Sequence, residues 1–139
     1  PMGEIKKVEG TPFDFRKPKA IGKEIGTNNE QLILGKGYDH CWVLNGEDDT
    51  MRPVASAYDN GSGRIMEVFS DEPGIQFYTG NFLEGTLPTP RGGTYAHRTG
   101  FCLETQHYPD SPNQKDFPRV VLDPGEKYTS KTTFKFSVK

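Results

Sequence analysis

Three short segments place a carboxylate or an amide at the two-residue spacing that puts side chains on one face of a β-strand. In GYDHCWVLN (37–45), Asp39, Cys41 and Val43 share one side, opposite Tyr38, His40, Trp42 and Leu44. In GFCLETQH (100–107), Cys102, Glu104 and Gln106 share a side, opposite Phe101, Leu103 and Thr105. In GIQFYTG (74–80), Gln76 and Tyr78 face away from Ile75 and Phe77. A carboxylate flanked by Cys and Leu is costly to bury unless it is paired or used. Two readings stand side by side. These faces are either the solvated side of a sheet, or a polar cleft of acids, amides and an aromatic that suits a sugar with its ring of hydroxyls.

The other reactive side chains have simpler readings. His40 adjoins Asp39 but points to the opposite strand face, as a core or hydrogen-bonded structural histidine does. His107, just after the Glu104 segment, lines a cleft rim or sits in a loop, and His97 is a surface loop residue. No Cys-x-x-Cys or His-x-x-x-His spacing exists, so no metal site is expected. Cys41 and Cys102 form a disulfide if their strands are adjacent; buried thiols are the commoner fate in an intracellular enzyme, the setting favoured here. Trp42 shares its face with Leu44 and reads as core, whereas Tyr78, beside Gln76, lines either a cleft or the core. Asn81 reads as a turn former, DNGSG (59–63) as a hairpin turn with no helix after it to make a phosphate loop, and Arg91 as a solvated loop charge.

The elements that must position these groups follow from punctuation. The 139 residues include 16 Gly and 11 Pro, and before Gly125 no stretch free of both exceeds residues 64–72. Gly and Pro penalise a helix interior by about 1 and 3 kcal/mol, so few helices reach three turns. Residues 54–58 and 64–70, joined by DNGSG, read as a hairpin. Residues 126–139 alternate, with Tyr128, Ser130, Thr132, Phe134, Phe136 and Val138 on one side and a charged, water-facing side opposite. Segment 11–26 is basic and loop-like, and 27–34 holds one short helix or turn. The expected architecture is mainly β, an antiparallel β-sandwich. A net charge of −2 without a Lys/Arg cluster argues against nucleic acid or an anionic membrane. No apolar run approaches the roughly 20 residues of a membrane span, and PMGEIKKVEG lacks the apolar core of a signal peptide.

With those residues in view, the chain resembles the galactose mutarotase (aldose 1-epimerase) family. The likeness is carried, in the family's order, by VEGTPFDFR (8–16), GYDHCWVL (37–44), PGIQFYTGNFLEGT (73–86), GFCLETQHYPDSPN (100–113) and LDPGEKYTSKTTFKFSV (122–138). The resemblance implies a β-sandwich of the supersandwich type and interconversion of the α and β anomers of free hexoses such as galactose and glucose. Position by position, it implies that Glu104 is the general base on the C1 hydroxyl, that Asp39 holds sugar hydroxyls, and that Gln76 contacts the sugar. Tyr78 and His107 complete the expected substrate-binding set. Proton transfer of this kind contributes roughly 10²–10⁴-fold, and no metal or organic cofactor is required. Partial burial beside Cys102 and Leu103 would raise the Glu104 pKa from about 4.3 toward 6.

The departure from the family is large. Its general acid, a His helped by a second His and an Arg, lies ahead of anything matched here, and His40, His97 and His107 do not match it. Residues 1–139 are therefore expected to be the C-terminal part of a single epimerase domain, inactive alone. Core-facing Phe77, Phe101 and Leu103 are expected to lack partners and to favour self-association. A non-catalytic carbohydrate-binding β-sandwich is the alternative. An epimerase of hexose 6-phosphates is weaker, because no basic cluster stands out.

Overall fold

A computed structural model describes residues 2–139. Six strands form two three-stranded sheets. One has the order β1 (Asp39–Val43), β4 (Gly74–Tyr78), β5 (Cys102–Gln106); the other has the order β2 (Arg52–Tyr58), β3 (Arg64–Ser70), β6 (Thr132–Val138). The only α-helix among the described residues is α1 (Glu30–Gly35). Asn29 caps it by accepting the Gln31 N–H at 3.0 Å, the local bond that makes Asn a helix starter. Lys36 ends it in the left-handed conformation at φ 54°.

The chain divides into two compact units. Of the described residues, the first comprises 2–3, 41–76 and 103–139. In it β2 and β3 pair antiparallel, as the sequence predicts, with an irregularity between Pro53 and Ala55. Asp59 closes the hairpin by accepting the Gly61 and Ser62 N–H groups. Gly63 must be glycine twice over: its φ is +72°, and a Cβ there would lie 2.6 Å from the Lys139 carbonyl oxygen.

The terminal strand is shorter than its alternation suggests. β6 begins at Thr132 and pairs antiparallel with β3, setting Phe134 opposite Val68 and Phe136 opposite Met66. Ahead of it, the Lys131 N–H donates to the Asp71 carboxylate at 2.8 Å and the Tyr128 hydroxyl donates to Glu72, so side chains just after β3 hold this segment. Lys135 pairs with Glu67 at 2.8 Å on the solvated side. The apolar side is exposed as well: Phe136 is 72% and Val138 74% exposed.

The second unit comprises residues 4–40 and 77–102. Tyr38 is fully buried and Leu32, Ile25 and Phe77 are nearly so. Phe77 was expected to lack partners, and the structure corrects this. The loop after Thr11 delivers Phe15, whose ring meets Phe77 edge-on at 5.6 Å and Tyr38 at 5.1 Å, while Tyr38 stacks on Phe77 at 5.6 Å. Such pairs add about 0.5–1.5 kcal/mol each beyond burial. Phe101, also expected to lack partners, meets Phe77 edge-on at 6.1 Å while staying 39% exposed, and in the first unit Leu103 is half-buried.

Candidate functional site

Register decides which predicted residues stand together. At one end of the β1–β4 pair the Thr79 N–H donates to the Tyr38 carbonyl at 3.1 Å; at the other the Leu44 N–H donates to the Pro73 carbonyl at 3.0 Å. The two strands are therefore antiparallel, with Asp39 across from Tyr78 and Cys41 across from Gln76. Between β4 and β5 the Arg98 N–H donates to the Gly80 carbonyl at 3.1 Å. A Cβ on Gly74 would lie 3.0 Å from the Gln106 carbonyl oxygen, and one on Gly80 would lie 2.8 Å from that of Gly100. Gln76 then stands across from Glu104. Directly opposed side chains have Cβ atoms about 4.5–5.5 Å apart.

In the first unit the row is thus Cys41, Gln76, Glu104. Gln76 is half-buried and Glu104 is exposed. The partial burial expected to tune Glu104 is absent, because Cys102, its neighbour along the strand face, is itself exposed. Burial pushes the Cys41 thiol up to about 11, which keeps it protonated and unreactive near neutrality. The two cysteines are not bridged: β4 lies between their strands.

His107 stands beside a buried carboxylate. Thr105, on the opposite face from Glu104, shares a hydrogen bond with Thr132 at 2.5 Å. His107 continues that side, with Nδ1 2.9 Å from Glu72 Oε2. The Glu72 side chain is only 4% exposed; its other oxygen accepts from the Tyr128 hydroxyl, which raises the Tyr128 pKa. Arg52, also buried, donates to the carbonyls of Asn45, Thr50 and Glu72. Glu72 is not among the residues the sequence singles out, because nothing local marks a carboxylate whose partners lie 35 and 56 residues away.

In the second unit Asp39 and Tyr78 are both half-buried. The Phe82 N–H donates to the Tyr78 hydroxyl at 3.0 Å, and the two rings stack at 6.3 Å. Asn81 is an internal tie and not merely a turn former. Its amide donates to the Gly35 and Tyr38 carbonyls at 2.9 and 2.8 Å, and its oxygen accepts from the Thr79 hydroxyl at 2.6 Å. His40 is structural as predicted. Its Nδ1 accepts the Asp39 N–H, its ring meets Phe13 at 4.8 Å, and burial lowers its pKa. His97 and Arg91 are exposed. Among the described residues no group of three or more His, Cys, Asp and Glu side chains is placed to hold a metal ion.

Comparison with known proteins shows what the chain is similar to. The family model for aldose 1-epimerase matches residues 1–135. Galactose mutarotase from Bos taurus is 49% identical over 138 residues, which cover 99% of this chain and 39% of that protein. The Homo sapiens galactose mutarotase is 47% identical over the same length, and the Escherichia coli (strain K12) aldose 1-epimerase 39% identical over 140 residues. The crystal structure of the GalM/aldose epimerase homologue from C. elegans superposes with a TM-score of 0.79 at 26% identity, covering 99% of this chain and 40% of that one. The chain spans about two fifths of the length of the curated relatives it matches.

Proposed function

The chain belongs to the aldose 1-epimerase family, and from that premise we propose that it carries the base-bearing part of an enzyme that interconverts the anomers of free hexoses such as galactose and glucose, as the C-terminal part of one epimerase domain. Glu104 takes the proton from the C1 hydroxyl as the ring C1–O5 bond breaks and O5 is protonated. Rotation about C1–C2 and closure on the other face return both protons, so the reaction needs no net proton and no oxidant. Gln76, across the strand from Glu104, accepts and donates hydrogen bonds to the sugar. Asp39 and Tyr78 bind sugar hydroxyls.

The observation that carries this reading is the register of Gln76 against Glu104 in a chain whose family performs proton transfer on sugars. No histidine here serves as the acid on O5. His40 Nδ1 accepts from the Asp39 backbone and His107 Nδ1 meets Glu72, and neither matches the family's acid position. That acid belongs to polypeptide outside the matched residues, and the chain alone turns over nothing. The exposure of Glu104 favours one competing reading, a sugar-binding module with no reaction. A chimera separates the two. With this chain in place of the 138 matching residues of the bovine galactose mutarotase, polarimetry on α-galactose should record mutarotation well above the uncatalysed rate. A folded chimera that binds galactose without accelerating it would leave only the binding module.

A further inference from the structure

Phe82 is an apolar ring that is 51% exposed, yet it stands on a turn tied by side-chain hydrogen bonds. Gly80, at φ +66°, admits no side chain, because a Cβ would strike the Gly100 carbonyl at 2.8 Å. Asn81 is buried by its three hydrogen bonds. The Phe82 amide is held by the Tyr78 hydroxyl, and the two rings lie within 10° of parallel. Lys36 brings its Nζ to 5.3 Å from the Phe82 ring centre, and its backbone is held in turn by Arg98, which donates to the Lys36 carbonyl at 2.8 Å. A mobile loop would let an exposed phenylalanine fold back; this one is held out.

We infer that Phe82 is a substrate-positioning residue: with Tyr78 it forms an aromatic shelf that takes the C–H face of a hexose beside Asp39. The chemistry of each part fits the same ligand. A pyranose presents an apolar C–H face and a rim of hydroxyls, so it is recognised by an aromatic plane with an adjoining acceptor. The β1–β4 register sets Asp39 across from Tyr78, whose ring stacks with that of Phe82. Lys36, whose Nζ lies over the Phe82 ring, is a donor beside it. The inference rests on the epimerase reading and adds a contact to the sugar.

The test uses this chain. ¹⁵N- and ¹³C-labelled protein is titrated with D-galactose up to its solubility limit, alongside Phe82→Ala and Phe82→Trp. Phe82→Ala keeps the backbone N–H that the Tyr78 hydroxyl accepts, so Tyr78 stays in place. Loss of one aromatic contact predicts about tenfold weaker binding, with Phe82→Trp restoring it, and Phe82 ring resonances should move with galactose in the unsubstituted chain. Galactose that shifts Gln76 and Glu104 but not Phe82, or that binds Phe82→Ala undiminished, overturns the shelf and leaves the proposed function standing. Galactose that shifts none of these residues overturns the shelf, and the chimera assay then decides the function separately. In that chimera Phe82→Ala should raise KM with kcat little changed; a fall in kcat at constant KM would also overturn the inference.

Discussion

Replacing Asn81 with Ala tests how the second unit holds the start of β1 against the end of β4. Three hydrogen bonds disappear: those to the Gly35 and Tyr38 carbonyls and that from the Thr79 hydroxyl. At about 1 kcal/mol net each the loss is roughly 3 kcal/mol. Part is recovered, because the Thr79 hydroxyl lies 3.1 Å from the Tyr38 carbonyl and can turn to it, and that carbonyl keeps the Thr79 N–H. The Gly35 carbonyl is left without its side-chain donor, and the carboxamide that lies against Gly37 leaves a gap. The expected net loss is about 2 kcal/mol, a large share of the roughly 5–15 kcal/mol that holds a domain together. Asn81→Asp should cost more than Asn81→Ala near neutrality, since a carboxylate oxygen would replace the amide nitrogen against two carbonyls. Urea unfolding followed by far-ultraviolet circular dichroism measures both. A loss under about 0.5 kcal/mol for Asn81→Ala, or an aspartate variant no weaker than the alanine, would refute the reasoning.

Two further outcomes follow. Burial depresses the His40 pKa below the unfolded value of about 6.5, so the unfolded chain binds the extra proton more readily. Stability should therefore be complete above about pH 6.5 and decline as the pH falls below it; His40→Phe should flatten that part of a stability profile measured by urea unfolding, and an unchanged slope would contradict it. Phe136 and Val138 expose an apolar edge on β6, so the chain should self-associate with concentration in sedimentation velocity. Phe136→Lys should shift it toward monomer, and an identical profile for the two proteins would remove this surface as the cause.

Strand placement was legible wherever a local rule governs it. Alternation and the DNGSG turn placed the β2–β3 hairpin to within two residues, and the same alternation assigned Glu104, Gln76 and Asp39 to the face where register then sets their partners. What alternation cannot carry is burial, which depends on segments distant in sequence. Glu104 reads as partly buried from Cys102 and Leu103, yet it is exposed, as is Cys102 on the same strand face. Phe77 reads as unpartnered, yet Phe15 arrives from a loop that looks merely basic. Residues 126–131 read as strand, but Asp71 and Glu72 capture Lys131 and Tyr128 first. The partner of Glu72 is equally silent: His107 lies 35 residues further on, and only the fold brings its Nδ1 to 2.9 Å from that buried carboxylate. The tie made by Asn81 is similarly silent, because a turn asparagine and a buried cross-strand amide have the same sequence.

The central claim is that Glu104 is the general base, and polarimetry on Glu104→Gln in the bovine chimera tests it most directly. Gln keeps the size and hydrogen-bonding reach of the side chain and removes only its capacity to take a proton. The account predicts that kcat falls by roughly 10²–10⁴-fold while galactose still binds within a few-fold of the parent chimera. A Glu104→Gln chimera that turns over galactose at the parent rate would contradict it.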